Sequence, residues 1–241
     1  NRRHGAEDGA RPRLVAQFGL DDQGLRLIQF WMSLLVGLVV TVAALGISPW
    51  VSFAVFLGAL ACAIVAVRHG QTGWNALGRI QGHTDIALDA TGQRQAQRLA
   101  QTLSAESFDA IYSSDLMRAR NTALAVSEVT GVPVLTDPGL RERNLGVFEG
   151  QTYAEIEARW PQEATQWRQR DPEFSAAGGE TLKAFYERCV AATARLAQAH
   201  PAQHILLVAH GGVLDVLYRA ATRQDLRAPR SEERRVGKEC R

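Results

Sequence analysis

The chain has 241 residues, 46% of them apolar, which is enough for one sizeable core and something more. Its formal charge is +2, and the last twelve residues hold that whole excess as five basic against three acidic groups, so no basic face argues for nucleic acid as a partner. Cys62, Cys189 and Cys240 stand apart, without the paired spacing of a disulfide framework or a zinc site, and a reducing compartment is the default.

Residues 1–26 read as a polar leader, expected to be disordered, and the chain begins with Asn1 rather than Met. Residues 27–47 then run for 21 positions without a charge, long enough for one membrane crossing, which takes about 20. A second apolar run, residues 51–67, follows the short turn Ser48-Pro49-Trp50. Arg2, Arg3, Arg11, Arg13 and Arg26 precede the pair, Arg68 and Arg79 follow it, and the turn carries no charge, which suits a hairpin with both ends cytoplasmic.

The run Ala63 to Val67 also reads as a buried strand, and it cannot be both strand and membrane helix. With the strand preferred, only residues 51–62 remain of the second run, too short to cross comfortably. The alternatives for 27–61 are then one crossing followed by a buried or interfacial segment, or a chimera of two reading frames. A cleaved secretory signal fits poorly, because the apolar stretch starts late and is long. A cytoplasmic catalytic domain, anchored to the inner membrane if 27–61 inserts, is the expectation.

From residue 62 onward, short apolar runs alternate with amphipathic stretches, the pattern of an α/β sandwich with a mostly parallel central sheet. Residues 92–103 place Ala96, Leu99, Ala100 and Leu103 on one helical face. Ala110-Ile111-Tyr112 reads as a strand. Ser114 or Asp115 is expected to cap a helix running to Thr130, with Gly131 as its stop. Thr152 and Glu155 form a capping-box pattern. Residues 180–199 predict a helix burying Leu182, Phe185, Cys189 and Leu196, ended by Pro201, and residues 205–209 a strand. No internal repeat or low-complexity linker divides this stretch, so 62–229 reads as one domain.

Two strand predictions end alike. Arg68-His69-Gly70 follows one run and His210-Gly211-Gly212 the other. In a sheet of buried parallel strands, ligands bind beyond the carboxyl ends, so both imidazoles are expected to face one crevice.

Around these ends the chain carries ordered blocks. Arg68-His69-Gly70-Gln71-Thr72-Gly73-Trp74-Asn75 comes first, then Gly78-Arg79-Ile80-Gln81-Gly82 ahead of Asp85 and Leu88. Ser113-Ser114-Asp115-Leu116-Met117-Arg118-Ala119 follows, then Leu140-Arg141-Glu142 with Gly146 and Glu149-Gly150, Gly178-Gly179-Glu180-Thr181, and His210-Gly211-Gly212. This series resembles the histidine phosphatase superfamily, the phosphoglycerate mutase-like proteins, over about residues 62–229. The resemblance implies a three-layer α/β sandwich that closes with a further strand after Pro229. Residues 230–241 instead resemble the translation of a sequencing-adaptor DNA, so an artefactual tail on a truncated domain is the expectation, with a charged, disordered C-terminal tail as the alternative. Lost ladder partners would expose core.

The chemistry follows from the residue types. A neutral imidazole is a competent nucleophile, so His69 can take a phosphoryl group as phosphohistidine. Arg68 and Arg118 can clamp phosphate oxygens through guanidinium forks, and protonated His210 would complete a cationic pocket. Glu142 is the candidate acid for the leaving alkoxide and then the base for water. By the resemblance, Asn75 and Gln81 add hydrogen bonds near the phosphate and Arg120 contacts substrate, while Gly82 and Gly211 belong to substrate-binding blocks, the latter in a glycine pair that lets backbone approach a ligand. Neither a metal nor another cofactor is required.

His83, His200 and His204 are read as structural, since Pro201 keeps the last two off a common helix face. Trp160, Trp167, Tyr153 and Phe174 are read as packing in preference to an entrance lining. Residues 150–178 are short where mutases of the family carry a lid, so the favoured activity is a metal-independent, histidine acid phosphatase-type phosphomonoesterase acting on a small phosphorylated metabolite, like the small bacterial phosphatases. Mutase-type phosphoryl transfer and an inert, membrane-tethered phosphate-binding module are the alternatives. The physiological ester and the oligomeric state are not legible.

Overall fold

The computed structural model describes residues 62–229. The expectations for the leader, for the apolar segment 27–61 and for the tail 230–241 lie outside the described residues. In chain order the elements are β1 (Ala63–Arg68), α1 (Gly73–Ala76), α2 (Ala90–Leu103), β2 (Ala110–Ser113), α3 (Met117–Thr130), β3 (Val134–Thr136), 3-10 turns at Pro138–Leu140 and Gly146–Phe148, α4 (Tyr153–Arg159), α5 (Pro161–Arg168), α6 (Leu182–Ala199), β4 (His204–Ala209) and α7 (Gly211–Thr222).

The four strands form one sheet in the order β1-β4-β2-β3, with every pair parallel. The contest over Ala63 to Val67 is decided for the strand: β1 lies in register with β4 from Ala63 beside His204 to Arg68 beside Ala209. Ser113 of β2 lies beside Val208, so the carboxyl ends of β1, β4 and β2 are nearly level.

Alternation along the central strand makes the layers. Ile205, Leu207 and Ala209 face Leu182, Phe185, Cys189 and Leu196 of α6 and Val213, Val216 and Leu217 of α7. Leu206 and Val208 face the other way, onto Ala100 of α2 and Ala119, Ala123 and Val126 of α3. A strand covered on both faces needs a continuous apolar run, which is what His204–Ala209 supplies after its first residue. Leu206 is fully buried, and its side chain contributes roughly 1.5–3 kcal/mol by leaving water.

A third cluster lies beside the sandwich. Phe148 is fully buried at its centre, with ring centroids of Trp160 at 5.6 Å, Trp167 at 5.5 Å and Phe174 at 6.2 Å, and Tyr153 stacks on Trp167. Trp160, Trp167 and Phe174 therefore pack as expected, while Tyr153 stacks on Trp167 from an exposed position.

Helix boundaries show where local reading failed. The expected cap of α3 by Ser114 or Asp115 does not form. Arg141 takes both Asp115 oxygens in a bidentate pair at 2.7 and 2.5 Å, and the N–H of Met117 donates to Asp85 Oδ1, 32 positions away, at 2.7 Å. Gly131 ends the helix at φ 74°, and Thr152 with Glu155 forms the capping box of α4, both as read. The helix expected from residue 180 begins at Leu182, because Thr181 caps it and the Glu180 side chain is taken by Arg188.

Candidate active site

His69 is the first residue beyond β1, and its N–H continues the ladder by donating to Ala209 O at 3.0 Å. His210 is the first beyond β4 and lies at the N-terminus of α7. Because the two strands are neighbours with level ends, the rings meet at 5.1 Å between centroids, inclined by 61°. His69 is 8% exposed and His210 is fully buried. His69 Nδ1 lies 2.7 Å from Gly70 O. A carbonyl can only accept, so Nδ1 carries the proton and Nε2 keeps its lone pair.

Burial is the main cause that pushes the His69 imidazolium down to a pKa of about 3; the nearby charges of Arg118 and Arg68 add to it, while the bond to Gly70 O opposes it. The same causes, burial first and then Arg118, push His210 well below the usual histidine range. Burial and the two arginine charges thus disfavour a proton on either ring, which weighs against the expected His210 cation. A phosphate dianion bound beside them would push the other way.

Arg118, the second residue of α3, is 1% exposed. Its Nη1 donates to Thr84 O at 2.9 Å and its Nη2 to Gly82 O at 2.7 Å. The fork is thus engaged by a loop, and the orphan is Nε. Among the described residues, the buried side-chain atoms without a hydrogen-bond partner are Arg118 Nε, both ring nitrogens of His210, and Thr193 Oγ1. Three of the four sit in one place. Buried polar atoms are nearly always paired, so this concentration marks where an anion would fit. Arg68 ends β1 with an exposed side chain, and a Cβ added to Gly211 would come within 3.5 Å of its Nε.

Glu142 is held at the start of α7, where its Oε2 accepts from the N–H of Gly212 and its Oε1 from the N–H of Arg143, each at 2.9 Å. A Cβ at position 212 would fall 2.1 Å from Oε1, so the second glycine of the pair is what admits the carboxylate.

The remaining expected residues divide. Gln81 is buried and accepts from Thr72 Oγ1 at 3.0 Å, while Asn75 uses its Oδ1 on the same threonine, so both belong to one network centred on Thr72. Gly82 meets Arg118 through its carbonyl, and Gly211 lies against Arg68. Arg120 is exposed on α3 and makes no side-chain bond to the site among the described residues. His83, read as structural, places its Nε2 2.9 Å from the backbone carbonyl of Glu142. Two residues were missed. Thr72 is fully buried and Glu149 ties the loop under Arg118; Thr72 had a legible signal as the cap of a Thr-x-x-Asn box, Glu149 had none beyond its place in a block. No group of three or more His, Cys, Asp or Glu side chains among the described residues could hold a metal ion.

Two imidazoles and two arginine side chains thus come near one another at the carboxyl edge of a parallel sheet, where open α/β sheets place their ligands. The chain belongs to the histidine phosphatase superfamily (branch 1), which matches residues 64–236. It is 43% identical over 162 residues to phosphoglycerate mutase-like protein 4 of Arabidopsis thaliana, covering 66% of this chain and 70% of that one. It is 38% identical over 159 residues to a metal-independent phosphoserine phosphatase of the same plant, covering 64% and 66%. Among solved structures, a mycobacterial glucosyl-3-phosphoglycerate phosphatase in complex with VO3 superposes with a TM-score of 0.63 at 36% identity, covering 68% of this chain and 83% of that one. Among the described residues no helix is long and apolar enough to cross a membrane.

Proposed function

We propose that residues 62–229 form a metal-independent phosphomonoesterase that hydrolyses a small phosphate ester through a phosphohistidine on His69. The observation that carries this reading is the Nδ1 to Gly70 O bond beside His210, which leaves Nε2 unprotonated as the ring nitrogen open to phosphorus, with unpartnered nitrogens on the adjacent His210 ring and on Arg118. In the first step the Nε2 lone pair forms the N–P bond as the P–O bond to the alcohol breaks, and Glu142 supplies the proton that the departing alkoxide takes. In the second step Glu142 removes a proton from water, the oxygen attacks phosphorus, and the N–P electrons return to His69. Arg68 and Arg118 Nε stabilise the equatorial oxygens throughout.

Hydrolysis is favoured over mutase transfer by the stretch 150–178. Its helices α4 and α5 pack against Phe148 in the third cluster, which makes that stretch part of a core. Names of similar proteins, with phosphoserine and glucosyl-3-phosphoglycerate as substrates, support a small phosphorylated metabolite as the substrate class. The test is release of phosphate from para-nitrophenyl phosphate in EDTA, with acid-labile, base-stable phosphate on enzyme quenched during turnover. Turnover that stops in EDTA, or phosphate on a hydroxyl, would overturn the reading.

A further inference from the structure

We propose that Glu149 is a positioning residue that sets the phosphate clamp and the acid together, an inference that rests on the phosphomonoesterase reading. Its carboxylate accepts four hydrogen bonds. Oε1 takes the N–H of His83 at 2.9 Å and of Leu145 at 3.0 Å, and Oε2 takes the N–H of Thr84 at 2.9 Å and its hydroxyl at 2.6 Å. That fills both oxygens, which a carboxylate can do and a carboxamide cannot.

Three of those bonds shape the turn 82–84, and the turn's outward carbonyls are the two that hold Arg118: Gly82 O and Thr84 O. With both Nη atoms tied to the turn and the side chain buried, the direction of the orphan Nε follows the turn. The fourth bond reaches the other loop. Leu145 lies three residues after Glu142, and His83, from the turn, meets the Glu142 carbonyl at 2.9 Å. One carboxylate therefore joins the segment that aims the clamp to the segment that carries the acid. Gly82 fits this arrangement, since it sits at φ 52° and a Cβ there would fall 2.0 Å from Glu149 Oε1. Burial disfavours the Arg118 charge, and Glu142, Asp85 and Glu149 oppose that effect.

The experiment compares wild type, Glu149→Gln, Thr84→Val and Arg118→Lys, singly and combined, by kcat/KM on para-nitrophenyl phosphate and by calorimetric affinity for inorganic phosphate. Glu149→Gln places an NH2 against two donors, and kcat/KM is expected to fall on the order of 10²-fold, as for a catalytic group displaced by about 1 Å. Phosphate affinity should fall with it. In the Arg118→Lys background the same change should add less than about threefold, because coupled residues are not additive. Thr84→Val removes one hydroxyl bond and leaves the backbone, so it decides the matter if Glu149→Gln does not fold; it should lose activity in the same direction while still folding, with a modestly lower Tm. Full additivity with Arg118→Lys, or wild-type phosphate affinity in both Glu149→Gln and Thr84→Val, overturns the positioning role. A wild type that binds phosphate without turning over esters overturns the phosphomonoesterase reading instead, and the affinities still judge Glu149.

Discussion

The central strand carries histidines at both ends, and the two ends are treated in opposite ways. At the start of β4, His204 rests on Phe108 at 4.7 Å and its Nδ1 meets Ser107 O at 3.1 Å, while neighbouring His200 meets Tyr112 OH at 2.8 Å and Gln203 at 2.5 Å. At the finish, His210 is fully buried with both nitrogens unpartnered, beside His69 and two guanidiniums. Ordinary stability has closed one end with hydrogen bonds. At the other end the unmet donors and the crowding of cations disfavour the protein alone, and a bound oxyanion would relieve both.

The comparison breaks most sharply at His69. His69→Ala should lower kcat by at least about 10⁴-fold and abolish acid-labile phosphate on the enzyme, the scale seen when a nucleophile is removed. Retained turnover would mean that the carboxyl end is only a binding site. Glu142→Gln sharpens the picture. With alkyl phosphates, whose leaving alkoxide needs a proton, the loss should be on the order of 10²–10³-fold, and with para-nitrophenyl phosphate it should shrink, because that leaving group departs unaided. Equal losses on both esters would remove Glu142 from the role of acid.

Stability against pH separates the same two ends more gently. His69 has its pKa lowered from 6.5 to about 3 on folding, chiefly by burial. The unfolded chain therefore binds a proton between these values that the folded one does not, so the ring is neutral at no penalty above pH 6.5 and stability is lost as pH falls toward 3. Each such ring adds about 1.4 kcal/mol per pH unit to that loss. Chemical denaturation of His69→Ala between pH 6.5 and 4 should show a shallower slope than wild type; an unchanged slope would mean the ring is hydrated.

Much of this was legible. Strand ends followed by Arg-His-Gly and His-Gly-Gly located both imidazoles, because a buried parallel strand needs an unbroken apolar run and its carboxyl end is where side chains are free. β3 escaped notice because Val134–Thr136 is a three-residue strand with largely exposed side chains, which leaves no period to read. The α3 cap escaped because Asp85 supplies it from a distant loop, and capping patterns are local. Glu149 escaped for the same reason, with donors 65 and 66 positions away. The engagement of the Arg118 fork by Gly82 and Thr84 needed the third dimension too, since nothing in a helical arginine announces which carbonyls it will meet.

The smallest effect belongs to the closed end. His200 follows α6 as its cap residue and packs edge-on against Tyr112 at 5.5 Å, with the hydroxyl bond holding the helix end to β2. His200→Ala removes that bond and leaves a half-buried hydroxyl that water can reach in part, so the loss should be about 1 kcal/mol, the net worth of a typical hydrogen bond. It should show as a lower denaturation midpoint with an unchanged slope. The ring stands at the opposite end of the sheet from His69, so kcat/KM should match wild type. A drop in kcat/KM without a drop in stability would mean that the two ends of the strand communicate, and the division between a closed end and an open one would have to be given up.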